Sequence, residues 1–179
     1  TTGQLPATST NALSQTTTYG YDFNLGLLTS VTDPNGIAKS FQYDTFGRQL
    51  RENRPDGTAT TWSYASCAGS CVSSANILTI SETVLNVGGS TQTDSSLYVD
   101  RYGRPLVVRK RLLDGSYDRS ETQYDSLGRV ARAAAPCSWS GCVYYWTNFG
   151  YDALNRTTQV QRPVNESIPT AQATTIEYA

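Results

Sequence analysis

The sequence predicts an all-β protein made of repeated antiparallel β-hairpins, and three observations carry that prediction. A Tyr-Asp-x-x-Gly-Arg element recurs along the chain. A second kind of glycine-closed turn falls between its copies. Aromatic or β-branched residues stand two positions before the repeat tyrosine. Internal repetition of this kind decides architecture before any single residue is weighed.

The element reads Tyr43-Asp44-Thr45-Phe46-Gly47-Arg48 and again Tyr124-Asp125-Ser126-Leu127-Gly128-Arg129. A variant reads Tyr151-Asp152-Ala153-Leu154-Asn155-Arg156, and a looser one Val99-Asp100-Arg101-Tyr102-Gly103-Arg104. Partial copies begin at Tyr21-Asp22 and at Tyr64, and Tyr178 reads as the start of another. Aspartate opening a type I turn can accept hydrogen bonds from backbone amides further along it, and a residue that tolerates positive φ closes it. A type I turn closed by a left-handed residue is a common hairpin connection and carries a G1 bulge. Asn155 supports this reading, because asparagine is the non-glycine residue best suited to the left-handed region.

The second turns are Asp33-Pro34-Asn35-Gly36, Arg54-Pro55-Asp56-Gly57 and Leu112-Leu113-Asp114-Gly115. The chain thus reverses roughly every 10 to 13 residues, which leaves strands of about six to eight residues in a continuous meander. Tyr19 precedes Tyr21, Phe41 precedes Tyr43, Trp62 precedes Tyr64 and Phe149 precedes Tyr151, each by two positions; Thr122 and Ile176 hold that place before Tyr124 and Tyr178. A period of two places each such pair on one strand face. A ladder of cross-strand aromatic and β-branched pairs is expected, each contributing roughly 0.2–1 kcal/mol. Residues 130–135 have helix-forming composition, yet they occupy the strand slot after a turn and end at Pro136, so they are expected to be a strand.

Composition sets bounds on function. The chain has 179 residues, of which 38% are hydrophobic, suited to thin sheets with one solvated face. Its 14 basic and 15 acidic residues nearly cancel, so no basic field favours nucleic acid. No apolar run approaches the ~18 residues needed to span a membrane, so no membrane insertion is expected. There is no methionine, and a chain that starts inside a repeat pattern reads as a piece of something larger. Residues 1–18 read as an N-terminal extension or partial strand. Residues 19–179 read as the repeat sheet, with an irregular insertion at about 67–97 that lacks the repeat aspartate and turn glycine.

The four cysteines fall in two close pairs, Cys67 with Cys71 and Cys137 with Cys142. Each pair brackets its own loop, so local disulfides are expected, pinning loop tips more than adding to global stability. Free thiols or a metal are the other readings, but a zinc site would need two loops roughly 65 residues apart to converge.

The chain has no histidine, which removes histidine-based triads, histidine metal sites and histidine pH switches. No glycine-rich phosphate loop opens a helix. No cofactor and no metal are expected, and the protein is not expected to be an enzyme. Asp22, Asp44, Asp100, Asp125 and Asp152 are repeat-turn residues, while Asp33, Asp56 and Asp114 belong to the second turns. A glycosidase would need two acids about 5–10 Å apart in a cleft, and it is the remote reading. Arg48, Arg104, Arg129 and Arg156 are expected to bond carboxylates or stack on tyrosines of adjacent hairpins. Trp139, inside the second cysteine loop, is expected to pack, with Tyr144, Tyr145 and Trp146 close by in sequence, and contact with a glycan or a protein is the alternative. An exposed ring there would favour a glycan- or receptor-binding module, whereas a packed one would not.

Taken together, the Tyr-Asp-x-x-Gly-Arg element and the Asp-Pro-Asn-Gly and Pro-Asp-Gly turns resemble the YD repeat of bacterial RHS (rearrangement hotspot) proteins. The same repeat occurs in toxin-complex C components and in teneurins. The resemblance runs from about Tyr21 to Tyr178. It implies hairpins that spiral into a hollow β-shell, with flanking repeats and an enclosed C-terminal toxin or cargo domain as partners, in a secreted or cell-surface bacterial protein. The family's autoproteolytic core motif has no match here, so no cleavage activity is implied. Open sheet edges would favour self-association.

Overall fold

The structure is a computed structural model that describes residues 5–67, 72–163 and 171–178. Every regular element among these residues is a β-strand: β1 (Thr8–Thr10), β2 (Thr16–Asp22), β3 (Leu27–Thr32), β4 (Ala38–Tyr43), β5 (Gln49–Asn53), β6 (Ala59–Ser66), β7 (Leu78–Leu85), β8 (Thr91–Val99), β9 (Pro105–Arg111), β10 (Tyr117–Tyr124), β11 (Val130–Ala134), β12 (Cys137–Ser138), β13 (Trp146–Tyr151), β14 (Thr157–Pro163) and β15 (Ala171–Thr175). Hydrogen-bonded neighbours follow chain order from β1 to β11 and on to β13, β14 and β15, while β12 lies beside β10. Residues 130–134 are indeed a strand, stopped by the Ala135–Pro136 step.

The chain divides into two compact units. The first runs to Ser63 and includes Ser81–Asp94; the second comprises Tyr64–Ile80 and everything from Ser95 onward. In the first unit the hairpin β2–β3 pairs Tyr19 with Val31, and β4–β5 pairs Phe41 with Glu52. In the second, β13–β14 pairs Phe149 with Val160. The expected aromatic to β-branched pairing therefore holds at Tyr19 and Phe149. At Phe41 a glutamate stands opposite instead.

Four repeat tyrosines and Val99, which holds the same place in its copy, mark a break in register: between Gly20 and Tyr21, Gln42 and Tyr43, Tyr98 and Val99, Gln123 and Tyr124, and Gly150 and Tyr151. These are the bulges that a three-residue hairpin loop imposes. At the start of the chain β1 pairs with β2, closed by a turn in which Ser14 takes φ 61°. The irregular stretch 67–97 holds β7 and most of β8, joined by the Asn86-Val87-Gly88-Gly89 turn, with residues 72–77 forming no strand before β7.

The layer is thin. Buried apolar residues are Ala59 in the first unit and Tyr98, Val99, Val107 and Ala134 in the second. The turn tips stay open to solvent: Phe46 is 82% exposed, Leu127 70% and Leu154 72%. Side chains at the tips therefore add little to the core, and the turns must be held by their own polar contacts.

Candidate functional site

The repeat motif folds into one construction that recurs with near-identical distances. In the second unit, Asp125 Oδ1 accepts hydrogen bonds from the amides of Leu127 and Arg129, both at 2.9 Å. Its Oδ2 accepts from Arg129 Nε at 2.7 Å, while Gly128 N–H donates to the Asp125 carbonyl at 3.0 Å. Asp44 does the same with Phe46, Arg48 and Gly47. Asp100 repeats it with Tyr102, Arg104 and Gly103, and Asp152 with Leu154, Arg156 and Asn155. The closing residues all take positive φ: Gly47 78°, Gly103 75°, Gly128 83° and Asn155 64°. Glycine does this without a Cβ clash, and asparagine is the tolerable substitute. Asp22 builds a longer version, in which Gly26 N–H reaches the Asp22 carbonyl at 2.8 Å and Leu27 stands where the arginine would be.

The electrostatics follow from these bonds. Partial burial pushes the Asp44, Asp100 and Asp125 carboxyls up, but hydrogen bonds from their arginines and from turn amides outweigh it and hold each below the usual aspartate range. For Asp152 the Arg156 amide contributes most to the same lowering. Asp56 and Asp114 are lowered chiefly by the hydroxyls of Thr58 and Ser116, which donate at 2.7 and 2.6 Å.

The clamps at Asp100, Asp125 and Asp152 are each tied to the next hairpin by the following repeat tyrosine. The guanidinium of Arg104 lies 4.4 Å from the Tyr124 ring centre, Arg129 4.6 Å from Tyr151, and Arg156 4.3 Å from Tyr178. Such a contact contributes about 0.5–1 kcal/mol at exposed positions. The tyrosine hydroxyls donate to backbone carbonyls of the previous hairpin: Tyr43 to Leu28 at 2.9 Å, Tyr124 to Pro105 at 3.0 Å, Tyr151 to Val130 at 2.9 Å and Tyr178 to Thr157 at 2.9 Å. Tyr21 reaches Pro6 at 3.2 Å. From Tyr43 onward, each acceptor is the residue just after the arginine position of the preceding copy. Burial pushes the Tyr43 and Tyr124 phenols up from a range in which they already donate as protonated hydroxyls at neutral pH. In Arg104, Arg129 and Arg156 both expected roles, pairing with a carboxylate and stacking on a neighbouring tyrosine, thus occur in the same side chain, while Arg48 pairs with Asp44 and lies 5.3 Å from the Phe46 ring of its own turn.

The cysteine loop is built differently. Cys137 and Cys142 are bridged, with Cα atoms 5.3 Å apart. Cys67 is also in a disulfide, and Cys71, its expected partner, lies outside the described residues. Trp139 is half-buried, its ring centre 6.1 Å from that of Tyr98, with the guanidinium groups of Arg109 and Arg119 at 5.5 and 5.0 Å. Arg119 also lies 5.4 Å from the Tyr144 ring, and it pairs with Glu121 at 3.1 Å. The ring is packed against its own sheet.

Three residues of this unit were not singled out in the sequence. Asn76 is buried, and its Nδ2 donates to the carbonyls of Leu78 and Val99 at 2.9 and 3.1 Å, fastening the loop before β7 to the end of β8. Nothing in its Ser-Ser-Ala-Asn context signals this. Arg109 stands in a Val-Val-Arg-Lys-Arg run and Arg119 between Asp118 and Ser120, contexts that signal neither aromatic partner. Asp100 and Glu121 both border a groove with Ser73, Leu106, Thr122 and Tyr124. Each acid, however, is committed to an arginine, Asp100 to Arg104 and Glu121 to Arg119. Among the described residues no group of three or more metal-ligating side chains comes together, and no helix is long and apolar enough to cross a membrane.

Residues 24–59 match the family model of the RHS repeat. That span holds the Asp33 and Arg54 turns and the Tyr43–Arg48 clamp between them. Among solved structures, the chain is similar to a crystal structure of TcdB2-TccC3-TEV, with 16% identity and a TM-score of 0.51 over 90% of this chain and 10% of that one. A crystal structure of TcdB2-TccC3 gives 16% identity and a TM-score of 0.50 over the same shares. A Photorhabdus luminescens Tc holotoxin pore aligns over 89% of this chain and 12% of that one at 11% identity, with a TM-score of 0.25 too low to bear on the fold. The chain thus spans about a tenth of the length of the solved chains it matches. No curated protein matches it.

Proposed function

We propose, for a chain that carries the RHS repeat and shares the fold of the TcdB2-TccC3 chains, that it is a wall segment of a hairpin shell with a mechanical role. The observation that carries this reading is the relay of clamps. Asp125 holds Arg129, Arg129 lies on Tyr151, and Tyr151 bonds the carbonyl of Val130. Every chemically distinctive residue of the motif is spent on fixing a turn or fastening one hairpin to the next. A catalytic carboxylate must be able to exchange protons or attack, whereas these are saturated with donors and held ionised. The segment is therefore proposed to be non-enzymatic.

In this reading the wall encloses a toxin or other cargo domain of a secreted or surface bacterial protein, with flanking repeats as its immediate partners. A glycan- or receptor-binding role draws less support, because Trp139 is stacked on Tyr98 and carries Arg109 and Arg119 against its ring. Limited proteolysis of the parent protein, with and without this segment, tests the proposal. Protection of the enclosed domain only when the segment is present is the expected outcome. Equal digestion in both would overturn it and make an open binding surface the better account.

A further inference from the structure

One short loop lies over a patch of the second unit beside the Asp100–Arg104 clamp. Register places Tyr98 opposite Val107, Val107 opposite Glu121, and Arg109 opposite Arg119, so these side chains share a face of β8, β9 and β10. Val107 is 2% exposed and Tyr98 9%, among the deepest apolar positions. Trp139 lies on this patch, at 6.1 Å from Tyr98 and 5.0 Å from Arg119.

The loop is lightly held by non-covalent contacts. β12 is two residues long, with Cys137 opposite Arg119 and Ser138 opposite Asp118, and Trp139 N–H adds one bond to the Tyr117 carbonyl at 2.7 Å. So short a strand is marginal without a further restraint. The covered state also leaves Arg119 Nε buried with no hydrogen-bond acceptor among the described residues, which opposes closure. Beyond these bonds the loop is held by the seat of the Trp139 ring and by the Cys137–Cys142 bridge, and its outer side is open to solvent at Ser138, Ser140, Gly141 and Val143.

We propose that this bridge is a redox latch, reducible by a dithiol while the sheet stays folded. A dithiol thiolate attacks one bridge sulfur, forming a mixed disulfide and releasing the other cysteine as a thiolate, which takes up a proton. The second thiol of the reagent, deprotonated, then displaces the remaining cysteine. Two electrons pass to the bridge, two cysteine thiols form, and the dithiol leaves as a cyclic disulfide. The freed loop withdraws Trp139, uncovering Tyr98, the two guanidinium groups and the β10 edge at Asp118–Arg119.

The test applies dithiothreitol to the folded full chain, with alkylation and peptide mass to show that Cys137 and Cys142 are reduced. Hydrogen exchange then reports on residues 117–119 and 137–139, and tryptophan emission is compared with that of Trp139→Phe. The expected result is exchange faster by about tenfold or more at those two segments with β13–β14 unchanged. A red shift in emission that Trp139→Phe lacks should accompany it. The Cys137→Ser/Cys142→Ser double variant should show the same open loop without reagent. Unchanged exchange after verified reduction would overturn the latch, as would a bridge that yields only on unfolding. Loss of protection across β8 to β14 in one step would overturn it too, since the bridge would then hold the whole unit rather than a loop.

Discussion

Within the second unit, the turns at Asp125 and Asp152 and the loop at residues 137–142 hold the chain by opposite means. A repeat turn is secured by several modest polar contacts whose partners are set by position: amides two and four residues on, an arginine four residues on, and a tyrosine in the next hairpin. The loop is secured by one covalent bond and one ring laid on a distant patch. The repeat spreads its stabilisation over copies of the same unit, so no single contact decides the fold. The loop concentrates it in a few atoms. The two regions should therefore fail under different conditions, the turns by protonation and the loop by reduction.

Acid should separate them most widely. The carboxyls of Asp44, Asp100, Asp125 and Asp152 are held below their ordinary range in the folded chain. A lowered folded-state pKa means that the unfolded chain binds protons first, so the stability these groups contribute is fully present above the unfolded value of about 3.9. It is lost as pH falls from there through the lowered folded values. Protection factors at the Leu127 and Arg129 amides should hold from pH 7 to about 4 and then decline, copy after copy, while the disulfide loop stays bridged. Turns that open already at pH 6, or whose protection never declines as the acid is strengthened below pH 4, would contradict the clamp as the means of holding.

A smaller effect isolates the link between hairpins. Tyr151→Phe removes the hydroxyl that donates to Val130 at 2.9 Å but keeps the ring under Arg129. The loss should be about 0.5–1.5 kcal/mol in urea denaturation, the net value of one such bond. Exchange should quicken along β11 and β13 before it does in the disulfide loop. A change indistinguishable from zero would mean that the ring stack alone ties neighbouring hairpins.

The turns were legible in the sequence because their physics is local. Aspartate, a left-handed residue and an arginine, all within five positions, specify the bonds that the structure shows at Asp44, Asp100, Asp125 and Asp152. Arginine stacking on the next tyrosine was legible too, since the copies are in phase. The tyrosine hydroxyl's acceptor was not, because it depends on how one hairpin lies beside another. The aromatic ladder was legible only in part: Val31 and Val160 face Tyr19 and Phe149, but Glu52 faces Phe41. Strand alternation fixes which face a residue takes, while the register fixes its partner. Asn76 and the seat of Trp139 were hidden for the same reason, as Asn76 bonds Val99 and Trp139 meets Tyr98 across long stretches of chain.

The finest comparison is between two closing residues of the same turn, Gly128 and Asn155. Asn155 holds φ 64° with a Cβ, a strain that glycine would relieve; yet its Oδ1 accepts from Arg129 Nη1 at 2.9 Å, a contact between neighbouring turns that glycine cannot make. Asn155→Gly therefore trades relief of left-handed strain against one exposed bond and greater freedom in the unfolded chain, each about 0.5–1 kcal/mol, and should cost about 0.5–1 kcal/mol net. Asn155→Ala loses the bond and keeps the strain, so it should cost about 1–2 kcal/mol. Urea denaturation of the two variants side by side reads the difference. If both lose equally, the Arg129 contact rather than backbone conformation is what this position supplies, and the variant repeat would be a turn-to-turn link in its own right rather than a tolerated glycine substitute.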